Sequence, residues 1–369
     1  MWWKRRTYLD YAAGAAGNPS SPHEEGRRAK QMLEDARTVI ARLVEVQSDD
    51  VIFTSGATEA NALAILGHVR AVAKKNAHVL YLPSAHASVV ENAKLLQTEG
   101  VTVEALPIKD YRVDIEALTK MLRPETVLVS MDAVCGETGV VWNTREVAQT
   151  VRQHAPFARV HVDASQAALT EKITRAHFNA DMLTFDASKV GDMRGIGALI
   201  VHHTIPLIPL YRGGGQERGL RSGSESPVLA QSFAAALRAA ALGRDAFRIS
   251  AERERARLIE AVTKNIPRTY IQEGSVQAPH ILNLSLLGRD TDYLVALLDE
   301  AGFAVSTRSA CETDSEEGSR AVFALTGDSE RARATLRISW SPSIRPSELT
   351  RFSRAFTQAV AFLDSSSQG

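Results

Sequence analysis

The sequence predicts an α/β fold with a mostly parallel sheet, and three observations lead there. Short apolar runs of strand length alternate with helical segments through most of the chain. Two of those runs lead into ionisable side chains: Val160-His161-Val162 into Asp163, and Met182-Leu183-Thr184-Phe185 into the segment ending at Lys189. A third run, Gly197 to Val201, follows a glycine-bearing link at Gly191 to Gly195. The carboxyl ends of strands are where parallel α/β sheets bind ligands. A lysine placed there can form a Schiff base, and an aspartate can hold a pyridine nitrogen protonated. A structural ion pair at the sheet edge is the competing reading of the two residues alone.

Taken in order, residues 7–19 are small and turn-rich and predict an extended arm. From Pro22 to about Val46, Ala29, Met32-Leu33, Ala36, Val39-Ile40 and Leu43-Val44 recur at helical spacing, with Arg27, Arg28, Lys30, Glu34 and Arg37 assigned to a solvated face. Strands are expected at Val51 to Thr54, His78 to Leu82, Val101 to Leu106 and Val127 to Met131. Helices are expected from Thr58 to about Val72, Ser88 to Gln97, Ile115 to Leu122 and Thr144 to His154. Ser226-Pro227 is a helix start, a capping hydroxyl followed by proline in the first turn, and the helix it opens continues to Val262. Beyond it come strands at Ile281 to Leu284, Ala304-Val305 and Thr335 to Trp340, a helix at Asp292 to Leu298, and a closing helix from Pro346.

At 369 residues the chain exceeds one compact core, so two domains are expected: a large one over residues 16–245 and a small one over 246–369, with the arm 1–15 packing near the latter. The 43 basic and 43 acidic residues cancel, which gives no field for direct nucleic-acid or membrane binding. No run approaches the ~20 apolar residues of a membrane span. Two cysteines, Cys135 and Cys311, make no disulfide framework, and no signal-peptide pattern is evident, so a cytoplasmic setting is expected.

Four constellations carry possible chemistry. Ser55-Gly56-Ala57-Thr58 joins a strand to a helix, where free N–H groups and the helix dipole suit an anion; a small-residue turn is the plainer reading. His86 follows a strand end, placed to stack on an aromatic cofactor or to shuttle protons, unless it is structural. Gly213 to Ser224 is glycine-rich and basic but lacks the Walker pattern; it is an anion clamp or a surface loop. Cys135 sits between Val134 and Gly136 and is expected to be buried and inert, whereas Cys311 lies in polar sequence from Thr307 to Gly318. No metal-ligand spacing surrounds Cys311, so its thiol is a candidate nucleophile, with an incidental surface cysteine as the alternative.

Together these residues match a family pattern in order. The motifs are G-N-P-S-S-x-H at Gly17 to His23, F-T-S-G-A-T-E-A-N at Phe53 to Asn61, His86, and E-T-G-V at Glu137 to Val140. Next are H-V-D-A-S-Q at His161 to Gln166, Lys189 before G-I-G, and G-G-G-Q-E-R-G-L-R-S-G-S at Gly213 to Ser224. S-A-C at Ser309 to Cys311 and L-R-I-S around Arg337 complete the set. The chain resembles the cysteine desulfurases of the pyridoxal-phosphate-dependent class V aminotransferase family. That resemblance implies a fold-type-I transferase acting on L-cysteine as a homodimer. Lys189 would hold pyridoxal phosphate, Asp163 would pair with its pyridinium nitrogen, Gln166 would contact the ring hydroxyl and His86 would stack on the ring. Ala57, Thr58 and Ser188 would take the phosphate, with Ser224 contributed from the second subunit. Arg337 would bind the substrate carboxylate, and Cys311 would attack the substrate sulfur to become a persulfide. The sulfur would pass to an acceptor protein, an iron–sulfur cluster scaffold or a tRNA-thiolation protein.

The chain departs from the family pattern at several positions. The serine and histidine of S-G-H-K are Asp186 and Ser188, the asparagine of N-E-x-G is Gly136, two early threonines are Gly14 and Ala15, and a proline after the lysine is Met193. A carboxylate beside a phosphate is repelled, so Asp186 is expected to turn away or to pair with a cation, Arg194 being the candidate. These departures leave two alternatives: selenocysteine lyase or another activity of the same fold, and a weakened paralogue acting as a binding or scaffold subunit.

Overall fold

The computed structural model describes residues 6–14, 17–307 and 318–366. Helix α1 (Glu24–Val44) is capped by His23, whose Nδ1 accepts the Gly26 N–H, and it ends where Glu45 turns left-handed at φ 59°. Its buried stripe, Leu33, Ala36, Ile40 and Val44, follows the expected spacing. Arg37 does not lie on a solvated face as expected: it is buried and forms a two-bond ion pair with Glu217 at 2.7 and 2.8 Å. The helix turns that side chain inward because Glu217, held in a left-handed loop conformation, also accepts the Phe53 N–H at 2.9 Å and supplies the countercharge. The described part of the arm is tied to the start of α1: Arg6 pairs with Glu24 and Glu25, and Asp10 accepts from Ser21 and bonds His23.

Strand β1 (Val51–Thr54) leads into α2 (Ala57–Ala62), which continues without a break through a π-helical turn (Leu63–Gly67) into α3 (His68–Val72). Then come β2 (His78–Tyr81), α4 (Ala87–Thr98), β3 (Thr102–Ala105), a small hairpin β4 (Ile108–Lys109) and β5 (Arg112–Val113), and α5 (Ile115–Met121). The central elements are β6 (Thr126–Asp132), α6 (Thr144–His154), β7 (Arg159–Asp163), α7 (Arg175–Phe178), β8 (Met182–Asp186) and β9 (Gly197–Val201). One seven-stranded sheet results, in the order β1-β9-β8-β7-β6-β2-β3. The run from β8 to β3 is parallel, and β9 alone runs antiparallel to its neighbours β8 and β1. Every residue of β6 is buried, as expected for a strand covered on both faces.

Helix α8 (Pro227–Asn265) opens with the Ser226 cap and leaves the first core after Leu237, entering the second at Ala251. The second core is built on β10 (Thr269–Ile271), β11 (Ile281–Leu286), α9 (Thr291–Glu300), β12 (Thr335–Ser339) and α12 (Pro346–Ser366), whereas α10 (Arg320–Thr326), which precedes the short α11 (Ser329–Arg333), sends Ala321 into the first core. Strands β10, β11 and β12 form an antiparallel sheet. No strand forms at Ala304-Val305; the chain there makes a single bridge, Ser306 to Arg337. Leu349, Phe352, Phe356, Val360 and Leu363 of α12 pack into this core as one stripe. Among the described residues no helix is long and apolar enough to cross a membrane.

Candidate active site

The register of the parallel strands sets the site. Asp132 at the end of β6 is paired with Asp163 at the end of β7, so both carboxylates lie on one face of the sheet. Both are buried. Asp163 is fixed by two donors, Asn61 Nδ2 at 2.7 Å and the Ser165 N–H at 2.9 Å. Asp132 Oδ1 has no hydrogen-bond partner among the described residues. Burial, and then the charge of Asp163, raise the Asp132 carboxyl well above the usual carboxylate range. Beneath them His161 of β7 lies between Ser130 and Thr184, at 2.8 and 3.1 Å, and burial pushes it down to about 4, so it is a neutral core residue.

Helix α2 brings Asn61 one turn below Ala57, on the same face. Asn61 links Asp163 to Ser88 Oγ at 2.9 Å, and Ser88 Oγ lies 2.8 Å from His86 Nδ1. His86 caps α4 through that same nitrogen, accepting the Ser88 N–H, which leaves Nε2 as the ring's other polar atom. A cavity of about 310 Å³ gathers His86, Ala57, Thr58, Asp132, Asp163, Gln166, Asp186, Lys189, Arg320 and Arg337. Arg337, on β12, donates to the Gly136 carbonyl at 3.2 Å. A Cβ on Gly136 would come within 3.1 Å of the Gln166 amide, so the glycine leaves Gln166 room that an asparagine would take.

The fold thus brings seven of the residues singled out in the sequence to one cavity: His86, Asp163, Gln166, Ala57, Thr58, Lys189 and Arg337. Ser188 lines an adjoining groove with Asp186, Lys189 and Arg194. Ser224 is exposed and is not among the cavity's lining residues; Asn18 Nδ2 lies 3.5 Å from its hydroxyl. Cys311 lies outside the described residues, but the chain on either side of it is anchored at the cavity. Ser306 pairs with Arg337, Ser319 Oγ donates to Glu137 at 2.6 Å, and Arg320 donates to the carbonyls of Pro83 and Ala85. Burial, then Asp132 and Glu137, push the Cys135 thiol up to about 12, which keeps it protonated and inert.

Asp186 neither turns away nor pairs with Arg194. Its Oδ2 accepts the Ala57 N–H and its Oδ1 the Ser188 N–H, both at 2.8 Å. Gly197 is the reason this contact closes, since a Cβ there would lie 2.7 Å from the Gly56 carbonyl carbon and the Phe185 oxygen. Asp132 and Arg320 are residues that reasoning from sequence passed over, and Asn61 stands there only as the end of the motif from Phe53, without a role of its own. Asn61 alone had a local signal, four residues beyond Ala57 on a predicted helix; Asp132 is revealed only by the β6–β7 register.

The chain matches the aminotransferase class-V family over residues 6–352. It is 35% identical to cysteine desulfurase IscS 1 of Archaeoglobus fulgidus, over 89% of this chain and 85% of that protein. It is also 35% identical to the mitochondrial cysteine desulfurase of Arabidopsis thaliana, over 87% of this chain and 71% of that one. Among solved structures it resembles a NifS-like protein with TM-score 0.88 and 27% identity, covering 96% and 94% of the two chains. DndA from Streptomyces lividans aligns with TM-score 0.76 and 30% identity, covering 90% and 94%. With that fold, those relatives and an amine and a buried carboxylate meeting at the ends of its central strands, the chain belongs to the class-V aminotransferase family, among its cysteine desulfurases.

Proposed function

We propose that the cavity takes sulfur from L-cysteine, releasing L-alanine and leaving a persulfide on Cys311 for transfer to an acceptor protein. The observation that carries this reading is the convergence of Lys189, Asp163 and Arg337 in one cavity, with both ends of the Cys311-bearing segment anchored beside it. The pyridoxal phosphate on which the family depends fits the ring end of this cavity. Asp163 is a buried carboxylate with fixed orientation, suited to a protonated pyridine nitrogen, and the open Asp132 Oδ1 marks a cavity built for a polar ligand. Lys189 would hold the cofactor's aldehyde carbon, His86 would cover the ring, and Gln166 would meet its hydroxyl. When bound, the cofactor supplies an electron sink for charge developing at the substrate's α-carbon.

The chain's own groups do the rest. Arg337 fixes the substrate carboxylate with a planar pair of donors. The Lys189 amine, freed when the substrate's amine takes its place, removes the α-proton, and Asp163 would keep the pyridine nitrogen protonated. The Cys311 thiolate attacks the substrate sulfur, so that the carbon–sulfur bond breaks and a sulfur–sulfur bond forms. Cysteine and enzyme thiol together yield alanine and enzyme persulfide, which balances without an external oxidant. Ser224, exposed and outside its own cavity, serves the partner's phosphate site in a homodimer. The acceptor is an iron–sulfur scaffold or tRNA-thiolation protein in the cytoplasm, since balanced charge gives direct nucleic-acid binding no support. Reconstituted protein given L-cysteine and a thiol reductant is expected to release alanine and sulfide in equal amounts. Lys189→Ala and Cys311→Ser proteins are expected to lose this turnover, and full turnover by Cys311→Ser would remove Cys311 from its role.

A further inference from the structure

The cofactor end of the cavity contains an anion supplied by the chain itself. Asp186 sits at the end of β8, half-buried, and takes the first N–H of the continuous helical run 57–72 together with the N–H of Ser188. Ala57 and Ser188 are two of the positions from which phosphate contacts are expected, so their backbone donors are already engaged by a carboxylate. The contact is held by packing on both sides. A Cβ on Gly56 would lie 3.3 Å from Asp186 Oδ2, and Gly197 admits the turn against the sheet. A second feature of the cavity points to a ligand: Asp132, 4% exposed and in register with Asp163, lines it with an unpartnered Oδ1.

We propose that Asp186 is a specificity-determining residue that weakens the hold on the cofactor's phosphate, so that pyridoxal and pyridoxal phosphate bind with nearly equal affinity. This rests on the reading of the cavity as a pyridoxal site. A phosphate entering the cradle must displace the carboxylate from Ala57 and Ser188 and then remain beside a like charge, since no ion pair from Asp186 to Arg194 forms among the described residues. The affinity that remains comes from Lys189 and the ring contacts of Asp163, Gln166 and His86, which do not involve the phosphate. The cofactor is accordingly held at one end and exchanges readily.

The test titrates full-length apoprotein with pyridoxal phosphate and with pyridoxal, following absorbance of the lysine adduct, for wild type, Asp186→Ser and Asp186→Asn. The two aldehydes are expected to bind wild type within about threefold of each other, while Asp186→Ser tightens pyridoxal phosphate by at least about tenfold, or about 1.4 kcal/mol, and pyridoxal by less than about threefold. Asp186→Asn, which keeps an acceptor oxygen for one of the N–H groups, is expected to move in the same direction and carries the test if the serine protein does not fold. Inorganic phosphate is expected to raise the melting temperature of Asp186→Ser and leave wild type unchanged. A purely structural cap would instead make both variants less stable and weaken both aldehydes alike, which would overturn the proposal. Wild type preferring pyridoxal phosphate by more than about a hundredfold would overturn it equally. If neither aldehyde forms an adduct in any variant, the cofactor reading itself falls, and this proposal with it.

Discussion

Replacing Asp132 with asparagine tests the electrostatics of the site without touching Lys189, Arg337 or Cys311. Asp132 is buried on β6, paired in register with Asp163, and its Oδ1 is unpartnered among the described residues. Burial and the neighbouring charge hold its carboxyl well above the usual range. In the unfolded chain the same group titrates near about 4. Below that pH both states carry the proton and the residue makes no pH-dependent contribution. Above it the unfolded chain releases a proton that the folded chain keeps, so wild-type stability falls by about 1.4 kcal/mol per pH unit from this group until the folded carboxyl itself ionises. Asparagine has no such titration. Most other groups titrate alike in the two proteins and cancel in the difference. The advantage of Asp132→Asn is therefore expected to grow between pH 4 and pH 6, at up to about 1.4 kcal/mol per pH unit while the folded carboxyl keeps its proton, read from urea unfolding of the apoprotein at each pH. A difference that stays flat over this range, or shrinks as pH rises, would refute the assignment of a buried, proton-bearing Asp132.

Other outcomes follow from the same contacts. Glu217→Ala leaves buried Arg37 with only the more exposed Glu34, 3.1 Å from its Nε, as countercharge and is expected to cost about 3 kcal/mol in urea unfolding, because the Glu217 and Arg37 side chains are 1% and 9% exposed. Arg337→Lys keeps the charge but loses the planar fork, and is expected to raise the KM for L-cysteine by about tenfold or more with a smaller change in kcat. Alkylation of the native protein, followed by peptide mass spectrometry, is expected to label Cys311 and spare Cys135, whose thiol is pushed up to about 12.

The strands and helices that set the site were readable because they carry strong local patterns. β6, β7 and β8 are short segments of five to seven residues carrying Val, Leu, Met and Phe and ending in an aspartate, and α1 shows a regular buried stripe. The antiparallel direction of β9 was not readable, because its apolar run looks the same in either direction; only pairing with β1 and β8 decides it. Half-exposed β10 has three residues and no burial pattern to betray it. Arg37 looked like one more charged residue on a solvated helix face, and its partner lies 180 residues away. Asp186 is the sharpest case. Comparison with the family pattern put a carboxylate where a phosphate contact was expected, but its choice of Ala57 as partner depends on β1 and β8 flanking the same strand. Motif order picked out residues that share one cavity, while long-range register decided how they are held.

The central claim is that sulfur from L-cysteine passes through Cys311. Mass spectrometry of the Cys311 peptide, taken from reconstituted protein exposed to L-cysteine without reductant, tests it most directly. A mass gain of one sulfur on that peptide, absent from Lys189→Ala protein and removed by reductant, is the predicted result. Alanine production with no sulfur gained at Cys311 would contradict the account.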